Sequence, residues 1–187
     1  MVKEVIKATI INLKEGNTIL YPTDTVWGLG CDATNEEAVR KIYRLKRREE
    51  SKSLIILVDS IEMLQKYIEY IPKQVFQILE TVENPTTIIY NNPKRIANNA
   101  VAIDNTVAIR IPKNEFCQKL IKEFGKPIVS TSANISGEVT PKTFKEISNE
   151  IKLNVDYVVE IEESSENIKP STILKIMTDG SIKTLRA

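Results

Sequence analysis

The sequence predicts an α/β protein built on an open, twisted sheet of mixed strand direction with flanking helices. Three observations carry this. Helix-like and strand-like segments alternate from Val2 to Ile151, the pattern of layered α/β folds. Leu54 to Val58 (LIILV) is a continuous apolar run, as expected for a strand covered on both faces. The chain then ends in three strand-like segments, the last two joined by Thr178-Asp179-Gly180, a hairpin signal that a purely parallel stack would lack.

The elements follow in order. Val2, Ile6, Ile10 and Leu13 fall on one helical face, and Gly16 suits the stop. Thr18 to Tyr21 reads as a strand, and Thr23 to Gly30 as a polar, glycine-punctuated loop. Asn35 is placed to cap a helix with Glu36 and Glu37 in its first turn and Val39, Ile42 and Tyr43 facing inward. Ser60 and Pro72 open two more helices, Thr86–Tyr90 and Val107–Ile111 read as strands, and Asn114 and Gly125 bracket another helix. Pro127 to Val129 is a strand leading into a hydroxyl-rich loop, Ser130 to Gly137. Thr143 to Ile151 reads as helix, and Tyr157–Ile161, Thr172–Met177 and Ser181–Leu185 as strands. The charged stretch 162–170 reads as a solvated loop that could serve as a lid.

At 187 residues and 42% hydrophobic content, residues 1–187 are expected to form one domain. No apolar run approaches the ~20 residues of a membrane span. The first residues lack the apolar core and cleavage site of a signal peptide, so a cytoplasmic location without membrane attachment is expected. Net charge is +1, so any contact with nucleic acid must come from a local patch.

There is no histidine, which removes imidazole acid–base chemistry. Cys31 and Cys117 are the only cysteines and read as free thiols; a nucleophilic Cys31 would have no imidazole to take its proton. Asp24, Asp32 and Glu37 could face a divalent ion but read first as turn and cap acids, so no protein-held metal is expected. What the chain offers instead is fixed charge beside small hydrogen-bonding groups. Arg44, Lys46, Arg47, Arg48 and Lys52 form a basic cluster running into the apolar strand. By itself the cluster reads as a solvated helix end; in a sheet crevice it would hold phosphates. The Ser130–Gly137 loop adds Ser130, Thr131, Ser132, Asn134 and Ser136, more than one turn needs. Arg110 stands inside an apolar strand, where it needs an ion-pair partner or a substrate carboxylate. Trp27, the only tryptophan, is equally placed as core anchor or site wall. Such groups can hold a polyanion and a small polar substrate side by side.

These residues also fall into a known order. YPTDTVWGLG from Tyr21, the K-x-R pattern at Lys46 and Arg48, PTTII from Pro85, TVAIRIP from Thr106, STSANISG from Ser130, PSTIL from Pro170 and the terminal TLR match the YrdC-like threonylcarbamoyl-AMP synthase family over essentially the full length. The chain resembles the short form without an additional C-terminal domain. The resemblance implies a YrdC-like twisted sheet with a wide basic concavity. It also implies synthesis of threonylcarbamoyl-adenylate and pyrophosphate from L-threonine, bicarbonate and ATP with Mg2+. Partner transferases would then use the product on tRNA, and direct contact with tRNA or double-stranded RNA is possible in such a concavity. By resemblance Thr25, Arg110, Ser132 and Ser171 bind threonine. Lys46, Arg48, Lys52, Thr106, Asn134, Lys142 and Arg186 bind ATP, with Lys46 and Arg48 acting in catalysis. Departures from the common pattern are Arg47 for Gly, Glu49 for Pro, Lys52 for Asn, Trp27 for Tyr, and Asn84-Pro85 for Gly-Pro. Two other readings stay open: a paralogue using another acid or carbamoyl substrate, and a non-catalytic RNA-binding module.

Overall fold

The computed structural model describes residues 2–50, 54–161 and 170–187. Helix α1 (Val2–Lys14) leads into β1 (Ile19–Tyr21) and β2 (Gly28–Gly30). Then come α2 (Glu36–Leu45), β3 (Ile55–Leu57), α3 (Ile61–Tyr67), α4 (Lys73–Thr81), β4 (Thr86–Asn91), β5 (Thr106–Arg110), α5 (Glu115–Phe124) and β6 (Ile128–Ser132). The chain closes with α6 (Asn149–Asn154), β7 (Tyr157–Val158) and the hairpin β8 (Thr172–Ile176) and β9 (Ile182–Arg186). All nine described strands form one sheet in the order β7-β1-β2-β6-β3-β5-β4-β8-β9. β3 pairs parallel with β5 but antiparallel with β6, so the sheet is of mixed direction.

Capping residues act where the sequence places them. The Asn35 side chain accepts from the N–H groups of Glu37 and Ala38, Ser60 from Met63, and Asn114 from Cys117, each satisfying an otherwise orphaned helix donor. Gly125 ends α5 at φ 77°, a conformation glycine adopts without a Cβ clash.

Four expectations about element bounds and faces are corrected first. Gly28–Gly30 is a strand, hidden in the sequence by its glycines and lodged between β1 and β6. The strand β6 runs on through Ser130, Thr131 and Ser132, so these hydroxyls stand on rigid sheet. The 143–151 segment breaks into a 3-10 turn (Phe144–Glu146) and α6, because Ser148 caps a new helix at Ile151 N–H. The α1 face is also shifted: Thr9 is buried beside Ile6 and Leu13 while Val2 is exposed, Thr9 Oγ1 donating to Val5 O at 2.7 Å.

The sheet is covered unevenly, and this makes the site. Ile56, Ile88, Ile109 and Val129 are buried. Alternate residues point to opposite faces, and on the other face Ile55, Ala108 and Ile89 are partly exposed. The run 54–58 is therefore not covered on both faces throughout. Strand register puts Ser130, Ile55, Ala108, Ile89 and Lys175 in one row. The next row holds Leu57, Arg110, Thr87, Ile173 and Arg186.

Gly30 is needed for close approach. A Cβ there would lie 2.6 Å from Val129 O and 2.7 Å from Tyr21 Cε1. Gly30→Ala should cost about 1–3 kcal/mol by overpacking, read as a lower urea midpoint at unchanged slope. An unchanged midpoint would show that the β2–β6 contact is loose.

Candidate active site

A cavity of about 510 Å³ opens on the partly exposed face of the sheet. One wall is the turn after β1, with Thr23, Thr25 and Val26; the floor is Gly28, Ile55 and the β6 hydroxyls Ser130 and Ser132. Arg48 and Lys142 stand on the lining, as do Arg110, Ser171 and Arg186. Among the described residues four cations thus border a floor of small hydroxyl and apolar groups.

Arg110 is 4% exposed, and its Nη1 lies 2.9 Å from Asp24 Oδ1. The same Nη1 donates to Thr25 Oγ1 at 3.4 Å. Arg110 Nε is buried and has no hydrogen-bond partner among the described residues. Thr23 and Thr25 hold each other, their hydroxyls 3.1 Å apart. Ser171 is buried, with its Oγ 2.8 Å from Thr87 Oγ1. Arg186 is exposed at the end of β9 yet not frayed: Nε and Nη2 donate to Ser171 O at 3.0 and 2.7 Å. It tethers the segment carrying Ser171.

The basic cluster divides. Helix α2 ends at Leu45, and Arg47 takes a left-handed turn at φ 48°, the conformation a glycine would adopt without strain. Arg48 N–H donates back to Tyr43 O at 2.9 Å. That reversal puts Arg48, half-buried, on the cavity wall, while Arg47 pairs with Glu150 at 2.7 Å on the outside. Lys46 is buried and does not line the cavity. Its Nζ donates to Ser132 O and, at 2.7 Å, to Asn134 O, and its own carbonyl accepts from Ser136 N–H at 2.8 Å. Lys46 therefore ties the end of α2 to the loop after β6. Burial first, and then the charge of Arg48, lowers its ammonium to about 8.

Two further expected ATP contacts lie away from the lining. Asn134 Nδ2 donates to Ile135 O and Glu138 O, both at 2.9 Å, shaping its own loop. Thr106 faces the same side as Arg110 but four residues away, about 13 Å along the strand, and it donates to Asp104 Oδ1 at 2.6 Å. Lys52 lies outside the described residues, as does most of the expected 162–170 loop.

Trp27 is buried against Phe144, ring centroids 5.0 Å apart, and is a core anchor rather than a wall. Cys31 and Cys117 are buried, and burial raises both thiols well above their usual range; neither is poised as a thiolate nucleophile. Among the described residues no three of Cys, Asp and Glu cluster as a metal cage. Asp24 binds Arg110, Asp32 binds Thr34 and Lys126, and Glu37 pairs with Arg40. Sequence reasoning picked out the Thr23 hydroxyl, which does reach the lining, but missed Asp24 as the partner of Arg110 and missed Thr87 and Thr140 near or on the lining. A buried arginine calls for an acid, but Asp24 stands 86 positions earlier, and only the packing of the turn after β1 against β5 joins them.

Comparison with known proteins accords with this geometry. The profile of the Sua5/YciO/YrdC family, described as telomere recombination, matches residues 12–187. The threonylcarbamoyl-AMP synthase of Vibrio vulnificus (strain YJ016) is 32% identical over 184 residues, covering 97% of this chain and 96% of that protein. That of Pseudoalteromonas translucida is 35% identical over 175 residues, covering 92% and 93%. P. abyssi Sua5 complexed with L-threonine superposes at a TM-score of 0.86 with 27% identity; it covers 100% of this chain, which spans only 54% of that one. E. coli YciO shares the fold, with a TM-score of 0.83 at 23% identity over 100% of this chain and 89% of its own. The ordered motifs, the mixed sheet and the match over residues 12–187 establish that this chain belongs to the Sua5/YciO/YrdC family.

Proposed function

We propose that this chain is an L-threonylcarbamoyladenylate synthase, forming threonylcarbamoyl-AMP and pyrophosphate from L-threonine, bicarbonate and ATP. The observation that carries the reading is the buried Arg110, its Nε unpartnered among the described residues, on a cavity that also presents Arg48 and Lys142. A guanidinium edge is the natural seat of a carboxylate, and the other cations suit a polyphosphate. The names of the relatives support the same substrates.

In this reading the threonine carboxylate sits on Arg110, with Thr25, Ser132 and Ser171 at hand for its polar groups. The amine condenses with bicarbonate, losing water and giving a carbamate. A carbamate oxygen attacks the α-phosphorus of ATP, the bond from that phosphorus to the bridging oxygen breaks, and pyrophosphate leaves. The carbamate is its own nucleophile, which suits a lining that holds no carboxylate among the described residues. Arg48 and Lys142 offset the charge that grows on the departing phosphates. Mg2+ would arrive bound to the ATP phosphates, as part of the substrate. Holding carbamate and ATP in one cavity supplies the orientation benefit.

The product would pass to transferases that modify tRNA, and a cytoplasmic setting goes with that role. No helix among the described residues is long and apolar enough to cross a membrane. The test is pyrophosphate release from MgATP with threonine and bicarbonate omitted in turn. Release should need both. Release indifferent to threonine would replace this reading by a paralogue with another acid or carbamoyl substrate. No release, with salt-dependent RNA binding, would replace it by a binding module.

A further inference from the structure

We propose that Asp24 is a positioning residue for the acid substrate, holding Arg110 from behind so that one edge of its guanidinium faces the cavity. The proposal rests on the reading of Arg110 as the carboxylate anchor. Asp24 and Arg110 are 8% and 4% exposed and 2.9 Å apart. Thr23 and Thr25 line the cavity but Asp24, between them, does not. Its second oxygen, Oδ2, accepts from Lys113 N–H at 3.1 Å, so the carboxylate is fixed by the backbone just beyond β5.

A guanidinium has a rigid fork geometry. Here Nη1 forms the ion pair with Asp24 and donates to Thr25, while Nε is buried with no partner among the described residues. Arg110 lines the cavity, so with Nη1 held by Asp24 and Thr25 the rest of the fork is what an incoming carboxylate would meet. Such charge-assisted bonds depend on the planar geometry of the guanidinium and weaken steeply with misalignment.

Asp24 also has an opposing effect, because its negative charge repels an incoming carboxylate. The two effects separate by substitution. Asp24→Glu keeps the charge and moves the oxygens; Asp24→Asn removes the charge and keeps one oxygen toward Arg110, turning its NH2 toward Lys113 N–H. If alignment dominates, the Glu variant is the damaged one.

The experiment measures KM for L-threonine, threoninamide and ATP in the wild type, Asp24→Glu, Asp24→Asn and Arg110→Met. For Asp24→Glu, threonine KM should rise about tenfold, while ATP KM stays within about twofold and the preference for threonine over threoninamide falls in step. A merely structural role would move neither that preference nor the split between the two KM values. Asp24→Asn should stay within about threefold of the wild type for threonine. Should the Glu variant fail to fold, the Asn variant carries the test alone. A silent Glu variant, or an Asn variant that binds threonine about tenfold tighter, overturns the proposal in favour of simple charge tuning. An Arg110→Met variant with unchanged threonine KM would instead overturn the anchor reading itself.

Discussion

Arg48→Ala should lower threonine-dependent pyrophosphate release by about 10²–10³-fold, equivalent to about 2.7–4 kcal/mol of transition-state stabilisation, if it acts as preorganised donors to developing charge do. Among the described residues of the basic cluster, Arg48 is the one that the turn after α2 places on the cavity wall. The loss should fall on kcat more than on ATP KM, since charge on the departing phosphates is greatest in the transition state. Arg48→Lys should recover only part of it, because an ammonium supplies charge without the planar fork. Circular dichroism and the urea midpoint of the Ala variant should match the wild type. Near-normal turnover in a folded Arg48→Ala protein would remove Arg48 from the chemistry.

The second large effect belongs to Lys46, and it is one of stability. Lys46→Met leaves the carbonyls of Ser132 and Asn134 without their ammonium donor. Each unsatisfied buried acceptor costs about 1–3 kcal/mol, and removal of a buried charge offsets part of this. A net loss of about 2–4 kcal/mol is expected at pH 7 from these terms. Turnover should fall as well, because Ser132 stands on the cavity floor.

The pH dependence gives Lys46 a distinct signature. Its folded-state value is about 8, below the ordinary 10.5, so between those values the unfolded chain holds more protons than the folded one. Stability contributed by Lys46 therefore rises with pH across that window, by at most about 1.4 kcal/mol per unit. Below pH 8 the burial penalty on the charged amine applies in full. The buried cysteines oppose the trend, since their raised values make folding weaker as pH climbs past the ordinary thiol range, but they are common to both proteins. The gap between wild type and Lys46→Met, measured by urea unfolding from pH 7 to 9.5, should widen with pH. A gap that narrows would mean that the ammonium is not desolvated.

The legible parts of this molecule were those with local causes. Asn35, Ser60 and Asn114 cap helices through bonds to residues two or three positions away, and Gly125 ends one through its own φ. Such signals sit inside one turn of chain. The strand at Gly28–Gly30 was not legible, because its cause is the closeness of Val129 and Tyr21 rather than any propensity of glycine. The family resemblance located Arg48, Lys142, Arg110, Ser132, Thr25, Ser171 and Arg186, all of which reach the cavity lining. Lys46, Asn134 and Thr106, named by the same resemblance, lie off that lining, with their side chains bonded to the Ser132 and Asn134 carbonyls, to Ile135 and Glu138, and to Asp104.

Sequence alone determined the alternation of helices and strands, the absence of histidine chemistry, and the pairing of a basic cluster with a hydroxyl-rich segment. It also determined family membership, since ordered motifs survive in text. Which of Lys46 and Arg48 faces the cavity was decided by the fold. Lys46 and Arg48 are two positions apart, yet the left-handed turn at Arg47 sends one ammonium into the protein and one guanidinium to the cavity. Likewise the bond between Asp24 and Arg110 joins residues far apart in the chain. A buried charge takes whichever partner the packing of distant strands brings within reach, and that proximity is a property of the sheet register rather than of neighbouring residues.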